Sequence, residues 1–494
     1  MASRPLPLPR HPLFAGTTAT SARLSALALA AALVLSTALA FDTKVGVTML
    51  LALCFVPLAL FRLRAAICVW VVLLFFSRTT ALESVPNKLL LFLAVAWLGL
   101  LAGRRASARE ALAENRVLLA WVLAFIVWVV LSLAWAGSPG AAERPIKELI
   151  YAGLGLLLLL GTISERRHVR WLLGAFVAGA ALSVVWGAAK GGLSVRAGGA
   201  GGEVANVDGR FQGGSGDPNY LAAVLVPAIL LAGGLAIRSS AVKRALLGFA
   251  TAIIAVGIAA TQSRGGLIAA VVCALVALVI WRGKRGLILG LIGVAALATV
   301  IFFVANPSAW HRIETSNQGS GRVDIWKVAW RVVHDHPING VGIAQFPVVS
   351  PHYVLQPGAL QYVGLIVEKH IVVHNLYLQL WAETGIIGLL LFLGVIVTSM
   401  TAAWRAISRF ELLGDDEMAS LARATILALI GMLTASFFLS NLEAGQLWLL
   451  LAAGPALAVM AKRQAGAASP IEARPALGSI APPRTSTYPI EPAY

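Results

Sequence analysis

Charged residues are scarce in this sequence. Only 12% of its 494 residues are Asp, Glu, Lys or Arg, and 59% are hydrophobic. Soluble domains carry roughly a quarter charged residues, so this composition excludes an ordinary soluble protein and indicates a polytopic membrane protein. Acidic residues are scarcer than basic ones, with 22 Asp and Glu against 39 Lys and Arg, and the formal net charge is therefore +17.

Cysteine and alternating strand patterns are also lacking. The three cysteines, Cys54, Cys68 and Cys273, all lie in apolar runs. They exclude a disulfide framework, and we expect them to pack as small apolar residues. A membrane-spanning barrel would show alternating polar and apolar residues, but the apolar runs here are continuous, as in residues 117–135. The spans are therefore expected to be helices, each of about 20 residues.

The predicted fold is all-α, a polytopic transmembrane helical bundle of about 12–14 spans with a long extracytoplasmic loop containing short helices. Two of its apolar segments are short enough to be tilted or re-entrant, so twelve spans is the alternative to fourteen. The fourteen segments lie near 24–41, 45–61, 65–76, 88–102, 117–135, 148–161, 169–187, 219–237, 245–260, 267–281, 287–305, 375–404, 421–440 and 446–461. The two short ones are 65–76 and 148–161.

Basic residues orient these spans. Lys and Arg favour the cytoplasmic side of short loops, and they alternate along the chain if the N terminus is inside. Counting both termini, 25 of the 39 basic residues then fall inside and 14 outside, with five of those 14 within 306–373. This distribution places the polar segment 306–373 outside. The net charge is mostly this topology signal and does not indicate nucleic-acid binding, although inner arginines also favour anionic lipid.

The expected organisation is a cytoplasmic tail at 1–21, a helical bundle at 22–461 that includes the loop 306–373, and a disordered cytoplasmic tail at 462–494. The first apolar run ends at Ala38-Leu39-Ala40, which resembles a signal-peptidase site. Because the run is long and many spans follow, we favour an uncleaved first helix over a cleaved signal. A loop as long as 306–373 is usually functional.

Four residues at the outer face are candidates for a site. Arg264 lies in the short turn TQSRGG, where glycines allow the backbone to turn and approach a ligand. Arg210 precedes a turn and helix start at 217–219, and His374 begins the twelfth segment. Arg322 opens an amphipathic run suited to a helix on the outer membrane surface, whose N terminus favours phosphate.

Each candidate also has an ordinary structural explanation. Arg264 could extend to the lipid headgroups, and Arg210 and Arg322 could be solvated charges. A lone histidine such as His374 is more often a capping or interfacial residue. The run His334-Asp335-His336 resembles metal ligands, but adjacent residues do not easily close one site, and the outer loops lack paired Asp-x-Asp motifs. We therefore expect no metal and no cofactor.

Four fragments resemble a known family in their order and position. They are GRFQGGSGDPNYLA (209–222), SRGG (263–266), GRVDIWKVAWRVVHDHPINGVGIAQF (321–346) and HNLYLQLWAETGIIGLL (374–390). Together they resemble the superfamily of O-antigen ligases and O-antigen polymerases. The resemblance is good across roughly residues 200–395, and the rest of the chain is similar only in being a run of spans. The resemblance implies a bacterial inner-membrane enzyme with an outward-facing cavity for an undecaprenyl-diphosphate-linked glycan.

The chemistry of such a transfer suits these residues. Arginines stay charged and grip phosphate oxygens in bidentate fashion, so Arg210, Arg264 and Arg322 are the predicted diphosphate clamp. A neutral histidine has a suitable pKa to accept the proton of an acceptor hydroxyl, which is the role the resemblance implies for His374. Direct attack opposite the diphosphate would invert the anomeric carbon. Weaker supporting candidates are Asn219, Tyr220, Asn375 and Glu383.

Two alternatives remain open. A transporter or flippase for lipid-linked sugar is the rival from another class, but coupled transporters tend to place ionisable groups near the midplane. Here Glu383 is almost the only ionisable residue within a span, which favours chemistry at the outer surface. Within the transferase class, a ligase acts on a lipid core or other hydroxyl acceptor and a repeat-unit polymerase on a second lipid-linked glycan. The sequence does not distinguish them.

Overall fold

The computed structural model describes residues 53, 55–77, 85–102, 106–191, 210–281, 283, 285–307, 321–361, 363–368 and 371–468. Its α-helices, numbered in chain order, are α1 Leu63–Leu73, α2 Val85–Ala102, α3 Ala106–Glu114, α4 Arg116–Leu131, α5 Glu143–Thr162, α6 Arg166–Gly191, α7 Pro218–Ala236, α8 Ala241–Thr261, α9 Arg264–Ile280, α10 Arg285–Ala305, α11 Arg322–Asp335, α12 Phe346–Val354, α13 Val363–Glu368, α14 Leu376–Leu412, α15 Asp416–Ala435 and α16 Gly445–Ala468.

The predicted polytopic helical bundle is confirmed. Nine helices in the described ranges are long and apolar enough to cross a membrane, and three shorter apolar helices accompany them: Leu63–Phe76, Val85–Gly99 and Arg264–Ile280. These twelve helices correspond to the last twelve predicted segments. The predicted segment 148–161 is part of a longer helix, Pro139–Thr162, whereas 65–76 remains short. The segment 24–41, most of 45–61 and both predicted tails, apart from 462–468, lie outside the described residues.

Two helices, α7 and α16, form the centre of the bundle. Helix α7 packs against α6, α8, α9 and α15, while α16 packs against α5, α14 and α15. Helices α7, α10 and α16 each contain an apolar stretch of 18 residues. The share of that stretch that is buried inside the protein is 78% in α7 and 83% in α16, whereas it is only 17% in α10. Helices that are apolar on every side are suited to such central positions. The N termini of α7, α9 and α14 belong to one end of the bundle, which is therefore called the site end.

Helix α14 is broken near its start, where the sequence predicted a single continuous segment. Gly385 has φ 69° and ψ −176° inside the helix. The Ile386 N–H donates to the carbonyl of Pro337 (2.9 Å), and the Gly342 N–H donates to the carbonyl of Glu383 (2.7 Å). A Cβ at Gly385 would overlap the Ile338 carbonyl. The loop thus satisfies backbone groups that the break releases.

The described part of the long loop folds around a small core of its own. The core includes Ile325, Val328 and Val332 of α11, together with Phe346 of α12 and Leu378 of α14. We expected the apolar face of α11 to lie on the membrane surface. Instead its main apolar residues are buried against protein, because α12 and the first turns of α14 supply a partner for that face.

Two charged side chains of the loop hold it together. Arg331 donates to the carbonyls of Tyr353 (2.7 Å), Pro357 (3.1 Å) and Gly358 (3.2 Å). Buried Asp324 accepts from the Gln361 N–H at 2.6 Å. Backbone carbonyls that lack a helical or sheet partner are satisfied in this way, so Arg331 has a structural role.

Candidate active site

All four predicted residues lie at or near the start of a helix. Arg264 is the first residue of α9 and Arg322 is the first residue of α11. His374 lies two residues before α14, and Arg210 lies in the segment that leads into α7. Helix N termini carry unpaired N–H groups and a partial positive charge, so their surroundings favour an anion.

Asn219 joins Arg210 to the turn that carries Arg264. Its side-chain oxygen accepts hydrogen bonds from Arg210 Nη2 at 2.8 Å and from Ser263 Oγ at 2.9 Å. Arg210 Nε also donates to the carbonyl of Thr261 at 2.9 Å. These bonds fix Arg210 against the α8–α9 turn, and they bring two of the predicted arginines to one place.

The α8–α9 turn is made differently from the sequence prediction. Gln262, not a glycine, takes the left-handed conformation, with φ 49°. Gly265 and Gly266 are helical, and they allow close packing instead, since a Cβ on Gly265 would lie 2.8 Å from Phe438 Cβ. Ser263 caps α9 by accepting the Gly266 N–H at 3.2 Å, which leaves Arg264 exposed at the first position of the helix.

Gln262 has a second unusual property. Its side chain is 7% exposed, and neither amide atom has a hydrogen-bond partner among the described residues. Buried amides are nearly always paired, so the pair of orphan atoms beside Arg264 marks a place where a polar ligand or water would be stabilised. Gln262 was not among the predicted site residues.

His374, Arg322 and Asp217 form a second electrostatic group. The pKa of His374 is lowered to about 4, mainly by burial and next by Arg322, while Asp217 opposes both. Burial also lowers the pKa of Arg322, which Asp217 again opposes. The charge of Asp217 thus acts on both side chains. Burial and Arg322 keep the imidazole neutral at pH 7.

The backbone holds His374 in a strained position. Its φ is 54°, which is uncommon for a residue other than glycine, and such strain clusters at functional sites. Its Nδ1 is buried and has no hydrogen-bond partner within the described ranges. The next residue, Asn375, caps α14 by accepting from the N–H groups of Tyr377 (3.0 Å) and Leu378 (3.1 Å). Asn375 thereby fixes the backbone beside His374.

Glu383 links the loop to the bundle. It is 1% exposed, just before the break in α14. Its two carboxylate oxygens accept from the backbone N–H groups of Ala344 (2.9 Å) and Phe346 (3.4 Å), and Gln379 donates to both. The sequence singled out Glu383 as a costly ionisable group within a span. The structure places it at the point where the loop is anchored.

Asp217 lies directly before α7, and Tyr220 lies in the first turn of that helix. Asp217 caps that helix by accepting the Tyr220 N–H at 2.7 Å, and the Tyr220 hydroxyl donates to Gln446 at 2.8 Å. Asp217 and Ser263 were not among the predicted site residues. Both occupy the cap position directly before a predicted outer helix, and that position was the available signal.

The run His334-Asp335-His336 lies apart from the residues described above. His334 is exposed over 90% of its side chain, and its Nδ1 lies 3.4 Å from Asp335 Oδ1. In the part of the chain that the structure describes, no three His, Cys, Asp or Glu side chains are grouped as metal ligands would be.

One part of the chain matches a known protein family. Residues 249–393 match the family model Wzy_C, described as O-Antigen ligase. The matched region contains Arg264, Arg322, His374 and Glu383, while Arg210 and Asn219 lie before it. No curated protein matches the chain. With its apolar helices that are long enough to span a membrane, the protein is an integral membrane protein, and its residues 249–393 are similar to the O-Antigen ligase family.

Proposed function

We propose that this protein is an O-antigen ligase-like glycosyltransferase of the bacterial inner membrane. It transfers a glycan from an undecaprenyl-diphosphate carrier to an acceptor hydroxyl at the outer face. One observation carries the proposal: three arginines and a neutral histidine lie at or before helix starts at one end of the bundle. There Asn219 joins Arg210 to Ser263, and the charges of Arg322 and Asp217 act on His374. That combination suits an anionic leaving group and a proton acceptor.

The diphosphate would be held by charge. Arg210, Arg264 and Arg322 offer guanidinium groups that stay protonated and bind two phosphate oxygens at once. The partial positive charge at the helix starts adds to theirs. Cations positioned before reaction stabilise the negative charge that develops as the diphosphate leaves, which is usually a large part of catalysis.

Transfer then needs one proton acceptor. The acceptor oxygen forms a bond to the anomeric carbon, the bond from that carbon to the diphosphate oxygen breaks, and the diphosphate leaves with the electron pair. The hydroxyl proton passes to His374, which is neutral before the reaction because burial and Arg322 lower its pKa to about 4. A bound diphosphate beside Arg322 would offset the charge of that guanidinium, so it would raise the histidine pKa and strengthen the base.

The direct test uses purified protein in detergent with a lipid-diphosphate glycan and an acceptor. The expected result is a glycosylated acceptor and released lipid diphosphate without any vesicle, and magnetic resonance of the product should show an inverted anomeric centre. A protein that only moves lipid-linked glycan across liposomes, with no bond formed, would be a transporter and would overturn the proposal. A product of retained configuration would overturn direct displacement.

A further inference from the structure

A polar cavity lies at the site end of the bundle. Its volume is about 390 Å³, which is within the range of small-molecule sites, roughly 300–1,000 Å³. It is enclosed by α1, α2, α5, α7 and α16. Arg144 near the start of α5, Tyr220 near the start of α7 and Gly445 at the start of α16 all line it, which places it at the same end as the predicted diphosphate clamp.

The walls of this cavity combine planar polar groups with aromatic rings. The polar side chains include Asn87, Arg144, Glu148, Tyr151, Tyr220 and Glu443, and two tryptophans, Trp70 and Trp448, also line it. The indole N–H groups of Trp70 and Trp448 are bonded to the carbonyls of Pro86 (3.1 Å) and Leu442 (2.7 Å), which fixes both rings.

Hydrogen bonds also fix the wall at Tyr220. The Tyr220 hydroxyl donates to the side chain of Gln446 at 2.8 Å, and Gln446 in turn donates to the carbonyl of Leu74 at 3.0 Å. This chain of bonds joins α7, α16 and α1 around the cavity. The shape of the cavity is therefore preorganised, which lowers the entropic cost of binding.

Charge separates this cavity from the diphosphate clamp. Two carboxylates, Glu148 and Glu443, and one guanidinium, Arg144, line it, and Arg144 lies 2.8 Å from Glu148. A lining with two carboxylates and one guanidinium disfavours a diphosphate, and a lipid chain would strip water from these polar groups without replacing their hydrogen bonds. A hydroxyl-rich ligand suits the walls instead, because hydroxyls donate to carboxylates and accept from guanidinium and amide groups.

The cavity and the proposed catalytic group share the first turn of α7. Asn219 bonds Arg210 and Ser263, while its neighbour Tyr220 lines the cavity. The Tyr220 N–H also donates to Asp217, which is close to His374. The segment 438–445 connects the two places as well, since Phe438 packs on Gly265 of α9 and Glu443 lines the cavity.

We propose that this cavity binds the saccharide of the acceptor. The inference rests on the proposed function. The donor sugar is tied to the diphosphate, so it must lie beside the arginines. The acceptor hydroxyl must approach the anomeric carbon from the side opposite the diphosphate, and a separate hydroxyl-binding cavity beside the first turn of α7 would hold the rest of the acceptor.

The test is a steady-state comparison of Glu443→Gln and Tyr151→Phe with the wild-type protein. Purified donor glycan on lipid diphosphate and acceptor lipid extracted from the source membrane are the probes, each varied in turn. Loss of one hydrogen bond to a charged group predicts a KM for the acceptor about tenfold higher in Glu443→Gln, with the KM for the donor unchanged. Tyr151→Phe removes one hydroxyl from the α5 side of the cavity and should also raise the KM for the acceptor.

Glu368→Gln is the matched control, because Glu368 is an exposed carboxylate on α13 in the loop and does not line the cavity. Both KM values should be unchanged in that variant. If the wild type transfers glycan and both cavity variants keep the wild-type acceptor KM, the subsite is wrong and the proposed function stands. If only the donor KM rises, the cavity holds the donor and the inference is overturned. A wild type without transfer refutes the proposed function itself.

Discussion

Arg322 and His374 lie close enough for the guanidinium to lower the pKa of the imidazole. They belong to different helices, with Arg322 at the start of α11 in the loop and His374 just before α14 in the bundle. Burial is the larger cause, and together they bring the pKa of His374 to about 4. The loop therefore helps to keep the proposed base neutral, and in the proposed function it also contributes a cation to the clamp.

This relationship predicts the pH dependence of transfer. The neutral imidazole is the active form, so kcat/KM, which reports the free enzyme, should fall as pH drops through about 4 and not through 6.5. Asp217 raises the pKa of His374, so in Asp217→Asn the fall of kcat/KM should occur at lower pH. Arg322 lowers that pKa, so in Arg322→Gln the fall should occur at higher pH, measured on the activity that this variant retains. Rate profiles from pH 3.5 to 8 measure this fall. A fall near 6.5 in all three proteins would contradict the electrostatic coupling.

Removal of the proposed base should abolish most of the transfer. His374→Ala should lower kcat by about 10²- to 10⁴-fold, the usual contribution of a general base, while the protein still folds. Product formation in detergent measures the rate. The matched control is His334→Ala, because the His334 side chain is 90% exposed on the loop and should be dispensable. Equal activity of the two variants would show that His374 is not the base.

The arginines should differ in their effect on folding. Arg264 is exposed, so Arg264→Ala should lower kcat by about 10²-fold with little change in melting temperature. Arg210 binds Thr261 and Asn219, so Arg210→Ala should lower both kcat and melting temperature. Arg244→Ala, in the first turn of α8 at the opposite end of the bundle, is the control and should retain transfer. Full activity of Arg264→Ala would remove it from the clamp.

The break in α14 should tolerate no side chain. Gly385→Ala places a Cβ against the Ile338 carbonyl at a left-handed φ, and the backbone strain alone costs about 1–3 kcal/mol. We expect a lower melting temperature in detergent and faster proteolysis within 343–361. Gly290→Ala on α10 is the control, since a Cβ there meets no atom within 4 Å. A stable, protease-resistant Gly385→Ala protein would show that the loop does not depend on this anchor.

The outward orientation can be tested with two equally exposed leucines. Leu355 in the loop is 82% exposed, and Leu412 at the far end of α14 is 87% exposed. In intact cells, a membrane-impermeant maleimide should label Leu355→Cys and leave Leu412→Cys unlabelled, because the distribution of basic residues predicts that the Leu412 end lies inside. After lysis both should react. The reverse pattern in intact cells would place the proposed site on the cytoplasmic face.

The sequence alone determined the helical bundle and the local starts of its helices. Continuous apolar runs must satisfy their own backbone groups in lipid, so they had to be helices. Caps such as Asp217, Ser263 and Asn375 act on N–H groups within three residues of themselves, so their effect is local. The arginines and His374 could therefore be selected from their positions before or at helix starts.

Only the tertiary structure decided how those starts meet. Asn219 bonds a serine 44 residues away, and Glu383 bonds the backbone of Ala344, 39 residues before it. The break at Gly385 exists because a distant loop supplies the hydrogen bonds that the helix gives up there. The buried face of α11 and the polar cavity likewise depend on partners from other helices. Periodicity and capping report on neighbours along the chain, whereas these features come from neighbours in space, which one sequence does not identify.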